Sequence, residues 1–132
     1  SDYVQMNLNN FKGKTILELG AGVGLCGITL SKLLKVYHDS ENINNNNNNE
    51  NIEQNETIVL SDGEEELLPL LRENCINNGL SNNVTCSQLW WGPGPTLDQY
   101  INLYPNGFDC IIGADLIYSK EQITILPYLF HT

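Results

Sequence analysis

The chain has 132 residues, of which 41% are hydrophobic, which suits one modest domain and is too little for two. Sixteen Asp and Glu residues against six Lys and Arg residues give a net charge of −10, so the basic surface of a nucleic-acid binder is not expected. The sequence shows no membrane-length apolar run, no signal peptide and no C-x-x-C pair. We therefore expect a monomeric, metal-free protein with reduced thiols in the cytoplasm or nucleus.

The first elements form a strand, a glycine-rich turn and a helix. Residues 15–20, TILELG, are apolar and β-branched and predict a buried strand, and the apolar spacing over 25–36 predicts a helix. Between them, Gly22, Gly24 and Gly27 match G-x-G-x-x-G. This pattern favours a nucleotide-type ligand on the turn, although glycines that only let the helix pack closely on the strand would give the same spacing.

The next segment interrupts the pattern. Residues 37–56 have almost no apolar content and include the run Asn44 to Asn49. Because such a composition buries too little surface to offset its ordering entropy, we predict a disordered, Asn-rich surface insertion.

The remaining sequence alternates between strands and helices. Such alternation predicts an α/β, Rossmann-like, doubly wound and mostly parallel sheet over a single domain spanning 1–132. Ligands in this architecture lie beyond the carboxyl ends of the strands. The predicted elements are strand 57–62, helix 64–79, strand 83–91, turn 92–95, short helix 96–104, a strand running into a loop over 108–118, and the start of a helix over 120–130.

The predicted strand ends are Gly20, Asp62, Trp91 and Asp115, which should converge on one crevice. Asp62 lies 40 residues after Gly22, or 20 if the predicted insertion is left out. The shorter spacing is that of an acid that accepts hydrogen bonds from ribose hydroxyls, which favours an adenosine-bearing ligand. A helix-capping role for Asp62 is the alternative.

Glu18 bears on the kind of ligand. It stands two residues before Gly20, where a second carboxylate would repel a pyrophosphate and attract a cation. S-adenosylmethionine, which carries an ammonium and a sulfonium and no phosphate, fits this charge. The alternative is a carboxylate paired with a lysine such as Lys14.

These motifs resemble a known family. E-x-G-x-G-x-G after the first strand, with an acid ending the second, is similar to class I S-adenosylmethionine-dependent methyltransferases. The segments LELGAGVGLCGI, LSDGEEELLPLLRENCINNG, LWWG and FDCIIGADLIY, with D-x-x-Y at Asp115 to Tyr118, resemble the seven-β-strand protein-lysine methyltransferases of family 16. The resemblance implies strand order 3-2-1-4, S-adenosylmethionine as cofactor and a protein lysine as substrate.

The resemblance also implies a role for individual residues. Asp62 would hold the ribose and Trp91 would border the adenine, while Trp90 is expected in the core. Asp115 would orient the incoming ammonium and Tyr118 would narrow its path. The implied catalytic residues are thus Asp115 and Tyr118, and the implied cofactor contacts are Glu18, Gly20, Ala21, Gly22, Gly24, Asp62, Trp91 and Ala114.

Two departures from the family pattern point to a fragment. No tryptophan precedes the first strand, and only four of the family's seven strands can be placed, so that the apolar CIIGADLIY would form an open edge. A small-molecule methyltransferase, a nicotinamide-dependent oxidoreductase and a truncated, non-catalytic binding module stay open as alternatives.

Overall fold

The computed structural model describes residues 7–44, 54–80 and 82–130, apart from the side chain of Tyr128. Within them, four strands form one sheet: β1 at Thr15–Leu19, β2 at Thr57–Asp62, β3 at Val84–Gln88 and β4 at Cys110–Gly113. All neighbouring strands are parallel, in the order β3-β2-β1-β4. The predicted 3-2-1-4 order is confirmed.

Helices cover both faces of this sheet. Alternate side chains of β1 point to opposite faces. Ile16 therefore packs in a cluster with α1 and α2, and Leu17 packs in a second cluster with α3 and α4. The helices are α1 at Leu25–Asn44, α2 at Leu68–Asn77, α3 at Pro95–Leu103 and α4 at Lys120–Phe130, with 3₁₀ turns at Leu8–Phe11 and Glu65–Leu67.

The last two strands are shorter than predicted. β3 ends at Gln88. The N–H of Leu89 still bonds to the carbonyl of Asp62 at 2.9 Å, but the N–H of Trp90 leaves the sheet and bonds to the hydroxyl of Thr96 at 3.0 Å. β4 ends at Gly113, and Asp115 adopts φ 53°, which no strand can continue. The predicted strand 83–91 is therefore a short strand followed by a loop. Over 108–118 the predicted strand does run into a loop, but the strand ends at Gly113 and not at Asp115.

The predicted insertion is wrong at both of its ends. α1 continues through residues 37–44, where His38 is buried and its Nε2 lies 3.1 Å from Oε1 of Glu56. Glu56 is only 2% exposed and also accepts the N–H of Gly13 at 2.8 Å. The two flanks of the Asn-rich run are therefore parts of the fold, and residues 45–53 lie outside the described residues.

Gly27 marks the closest approach of α1 to the sheet. A Cβ atom at this position would overlap the side chains of Leu60 and Glu18. Although alanine favours a helix over glycine by about 1 kcal/mol, Gly27→Ala is expected to lower the free energy of unfolding by about 1–3 kcal/mol through overpacking. Urea denaturation of the full-length protein measures the change.

Asp39→Ala is the matched control, since Asp39 is on an exposed part of the same helix. It is expected to change stability by less than about 0.5 kcal/mol. A Gly27→Ala protein as stable as the unaltered one would contradict this close packing.

Candidate functional site

A cavity of about 350 Å³ opens at the carboxyl ends of the strands. Its lining includes Gly20, Asp62, Trp91 and Asp115, the four residues predicted to converge. The convergence is confirmed, although Trp91 and Asp115 reach the cavity from loops that follow β3 and β4. Its position at the strand ends is where parallel α/β folds bind ligands.

Asp62 holds two loops of this site together. Its carboxylate is 9% exposed; Oδ2 accepts the N–H of Gly22 at 2.8 Å, and Oδ1 accepts the N–H of Glu64 at 3.0 Å. Each carboxylate oxygen has a further lone pair. Asp62 can therefore fix the glycine turn and still accept hydrogen bonds from a ligand in the cavity.

The glycine turn meets the cavity at one residue. Gly20 and Gly22 have φ of 60° and 55°, a backbone region that glycine occupies without steric cost. Gly20 lines the cavity, whereas Ala21, Gly22 and Gly24 are not among the lining residues. Gly22 is tied to the site through Asp62. Contacts of Ala21, Gly22 and Gly24 with a cofactor stay predictions.

Glu18 has a partner inside the fold. Its side chain is 3% exposed, its Oε2 accepts the N–H of Gly27 at 2.9 Å, and it does not line the cavity. Burial raises the pKa of Glu18 to about 7; the hydrogen bond from Gly27 lowers this pKa, but by less than burial raises it. The partner of Glu18 is thus the backbone of Gly27 and not the side chain of Lys14 that the sequence had suggested. A contact of Glu18 with the cofactor stays a prediction.

One of the two tryptophans differs from its expected environment. Trp90 is 61% exposed, and its ring lies against Gly63. Trp91 is half-buried against the core cluster, with its ring beside Gly20. The prediction that Trp90 is the core residue is wrong, because β3 ends before both residues and its alternation does not reach them. Both rings line the cavity.

The residues of the D-x-x-Y motif stand at the edge of the cavity. Ala114, Asp115 and Tyr118 line it, with Asp115 exposed and Tyr118 81% exposed. Leu116 lines it as well, with its side chain packed over Gly113 and against Gly20. The motif thus presents a carboxylate and a phenol ring where a substrate side chain could enter.

The cavity carries negative charge. Asp62, Glu64, Asp115 and Glu121 line it, and no lysine or arginine is found among the described residues of the lining. A hydrogen bond with Ser119 lowers the pKa of the exposed Glu121 carboxyl, which favours its ionised form. This lining opposes a pyrophosphate and attracts a cationic ligand.

Comparison with known proteins decides the family. A family model described as lysine methyltransferase matches residues 1–131. The chain belongs to this family. It is 32% identical over 128 residues to the protein N-lysine methyltransferase METTL21A of Danio rerio, a match that covers 94% of this chain and 46% of the relative. It is 29% identical over 117 residues to the protein-lysine N-methyltransferase EFM6 of Saccharomyces cerevisiae, a match that covers 86% of this chain and 41% of the relative. It thus spans less than half the length of these relatives.

Solved structures show the same fold. The S-adenosylmethionine-dependent methyltransferase SibL matches with a TM-score of 0.59 at 17% identity, over 98% of this chain and 32% of SibL. The O-methyltransferase of Bacillus cereus, solved with S-adenosylhomocysteine, matches with a TM-score of 0.52 at 18% identity, over 83% of this chain and 40% of the enzyme. The Rossmann-like methyltransferase fold predicted for this lysine methyltransferase family member is confirmed.

The lining residues that were not predicted as site residues include Glu64, Glu121 and Gln122. Glu64 and Glu121 line the cavity from the N-terminal ends of helices. Acidic residues are common there because they interact favourably with the helix dipole, so their position alone does not indicate a ligand site. Gln122 lines it too and is 8% exposed. The pattern Ser119-x-x-Gln122 is a capping-box signature and could have identified Gln122.

Among the described residues, no helix combines the length and the apolar composition that a membrane span requires. In the same part of the chain, no three or more His, Cys, Asp or Glu side chains are grouped so that they could hold a metal ion.

The buried Glu18 makes stability depend on pH. Its folded-state pKa of about 7 exceeds the ordinary 4.5, so the folded state holds the proton more tightly and stability falls as pH rises from 4.5 through about 7. Glu18→Gln keeps an oxygen for the Gly27 N–H and has no proton to lose. We expect it to be more stable than the unaltered protein by about 3 kcal/mol at pH 8 and by less than about 1 kcal/mol at pH 5.

Chemical denaturation at the two pH values measures this difference. Glu66→Gln, at an exposed position, serves as control and is expected to change stability by less than about 0.5 kcal/mol at either pH. A Glu18→Gln protein that is less stable than the unaltered one at pH 8 would show that the carboxylate is held ionised.

Proposed function

We propose that the chain forms the cofactor-binding part of an S-adenosylmethionine-dependent protein-lysine N-methyltransferase. The observation that carries the proposal is the cavity at the strand ends, lined by four carboxylates and by no described basic residue. Membership of the lysine methyltransferase family supports the same reading. We also propose that the protein is a monomer, that it is located in the cytoplasm or nucleus, and that its substrate is a protein and not nucleic acid or a membrane.

The residues at the cavity fit this cofactor. Asp62, whose two oxygens keep free lone pairs, would accept hydrogen bonds from the ribose hydroxyls. Trp91 beside Gly20 offers an apolar ring for the adenine, and the backbone of Gly20 is open to the methionine part. When bound, S-adenosylmethionine would supply a methyl group on a positively charged sulfur.

The chain's own task is to present a neutral lysine nitrogen in line with that sulfur. Free lysine has a pKa near ~10.4, so its ammonium must be oriented and then lose a proton. The Asp115 carboxylate can accept a hydrogen bond from the ammonium at the cavity edge, and the exposed ring of Tyr118 can contact its alkyl chain. Because the proton can leave to water before transfer, no dedicated base is needed.

A nicotinamide-dependent oxidoreductase is disfavoured by the same charges. A dinucleotide would bring two phosphates to a lining that contains Asp62 and Glu64 next to the glycine turn. Dinucleotide sites usually stabilise pyrophosphate at a helix N-terminus. Here the N–H of Gly27 in the first turn of α1 is already bonded to Glu18.

Asp115→Asn in the full-length protein tests the proposed chemistry. Asparagine tolerates the left-handed φ of 53° and keeps the shape of the side chain while removing its charge. We expect transfer of labelled methyl groups to lysines of a cell lysate to fall about 10- to 100-fold, because the ammonium is no longer oriented. Mass spectrometry of the labelled protein identifies the modified residue type.

Asp98→Asn is the control, since Asp98 is an exposed acid in the first turn of α3. It is expected to leave the rate unchanged. An unchanged rate in Asp115→Asn would remove Asp115 from the mechanism, and label on residues other than lysine would contradict the proposed substrate class.

A further inference from the structure

We propose that Gln122 is a positioning residue that fixes the 115–118 loop, defined as residues Asp115 to Tyr118, in the geometry required for methyl transfer. The inference rests on the proposed function, because it assigns a task to a residue that neither the motif nor the family match identifies. The proposed role of Gln122 is to hold the backbone of the loop, because the placement of the Tyr118 side chain depends on that backbone.

The hydrogen bonds of Gln122 carry the inference. Its Oε1 accepts the N–H of Tyr118 at 2.8 Å and the N–H of Ser119 at 2.9 Å. Because both backbone groups are donors, the amide oxygen has to face them. Gln122 belongs to the first turn of α4, and its reach back to Ser119 is the return bond of a capping box. The side chain is 8% exposed, so this contact is shielded from water.

The loop needs such an anchor. Asp115 has φ 53°, a conformation that a residue with a side chain adopts at a cost and keeps only when its surroundings enforce it. At this end, Leu116 packs over Gly113, and its Cδ2 lies against Gly20. The loop is therefore held at its start by a contact with the sheet.

Packing does not hold the other end. Ile117 is 67% exposed and Tyr118 is 81% exposed, so burial does little to fix either side chain. The position of the Tyr118 ring then follows from its backbone, and Gln122 is the side chain that bonds to that backbone. Since a displacement of about 1 Å can slow an enzyme about 100-fold, loss of this anchor should act on the reaction step.

Two substitutions of similar size separate the effect of the acceptor from that of the side-chain volume. Gln122→Met keeps the length and removes the acceptor, whereas Gln122→Glu keeps an oxygen facing both N–H groups. In the full-length protein, we expect Gln122→Met to lower kcat about 10- to 100-fold with the KM for S-adenosylmethionine within about twofold, and Gln122→Glu to recover most of the rate. Gln99→Met, at an exposed position of α3, is the control and should change neither constant.

Amide hydrogen exchange provides a readout that does not need turnover. Exchange at Tyr118 and Ser119 should accelerate in Gln122→Met and return towards the original rate in Gln122→Glu. Gln122→Ala is the second variant should Gln122→Met not fold. If the unaltered protein transfers no methyl group, the proposed function fails, and the exchange rates still decide whether Gln122 holds the loop.

Three outcomes would overturn the inference. A raised KM for S-adenosylmethionine with unchanged kcat in Gln122→Met would make Gln122 a cofactor contact. Unchanged kcat and KM together would leave it as a helix cap only. Unchanged exchange at Tyr118 and Ser119 would show that the loop is held without it.

Discussion

The carboxylate of Asp62 is the contact on which the site depends. It ends β2 and binds the N–H of Gly22 on one side and the N–H of Glu64 on the other, so the loops after β1 and β2 are fixed to each other. Charge-assisted hydrogen bonds from backbone amides to a carboxylate are among the stronger polar contacts in proteins. The parallel order of the sheet brings β1 and β2 side by side, which makes this contact possible.

Negative charge around the same cavity then selects the ligand. Asp62 and Glu64 line it from the end of β2 and the residues that follow, and Asp115 and Glu121 line it from the residues after β4. In this respect the site differs from the usual use of a glycine-rich turn, where helix amides meet a phosphate. Because Glu18 accepts the N–H of Gly27 in the first turn of α1, this amide is not open to a phosphate, and the turn offers close backbone approach at Gly20.

The sequence predicted the sheet because the sheet is encoded locally. TILELG and TIVLSD are continuous β-branched and apolar runs, which only a strand buried on both faces accommodates, and parallel order follows from the helices between the strands. The convergence of Gly20, Asp62 and Asp115 follows in turn, since the carboxyl ends of parallel strands share one edge.

What could not be predicted depends on tertiary contacts. The helical turns at 37–44 exist because His38 meets Glu56 across the Asn-rich run, a pairing that composition does not reveal. The exposure of Trp90, which was predicted to lie in the core, depends on where β3 ends. The spacing of Glu18 placed it near the turn, but spacing does not show that its buried carboxylate accepts the N–H of Gly27.

The central claim is that this cavity binds a cationic adenosyl ligand and rejects a pyrophosphate. Isothermal titration of the full-length protein with S-adenosylmethionine and, separately, with NAD tests it most directly. The cavity charges predict a saturable heat with S-adenosylmethionine and none with NAD at the same concentration. Heat from NAD alone would contradict the account.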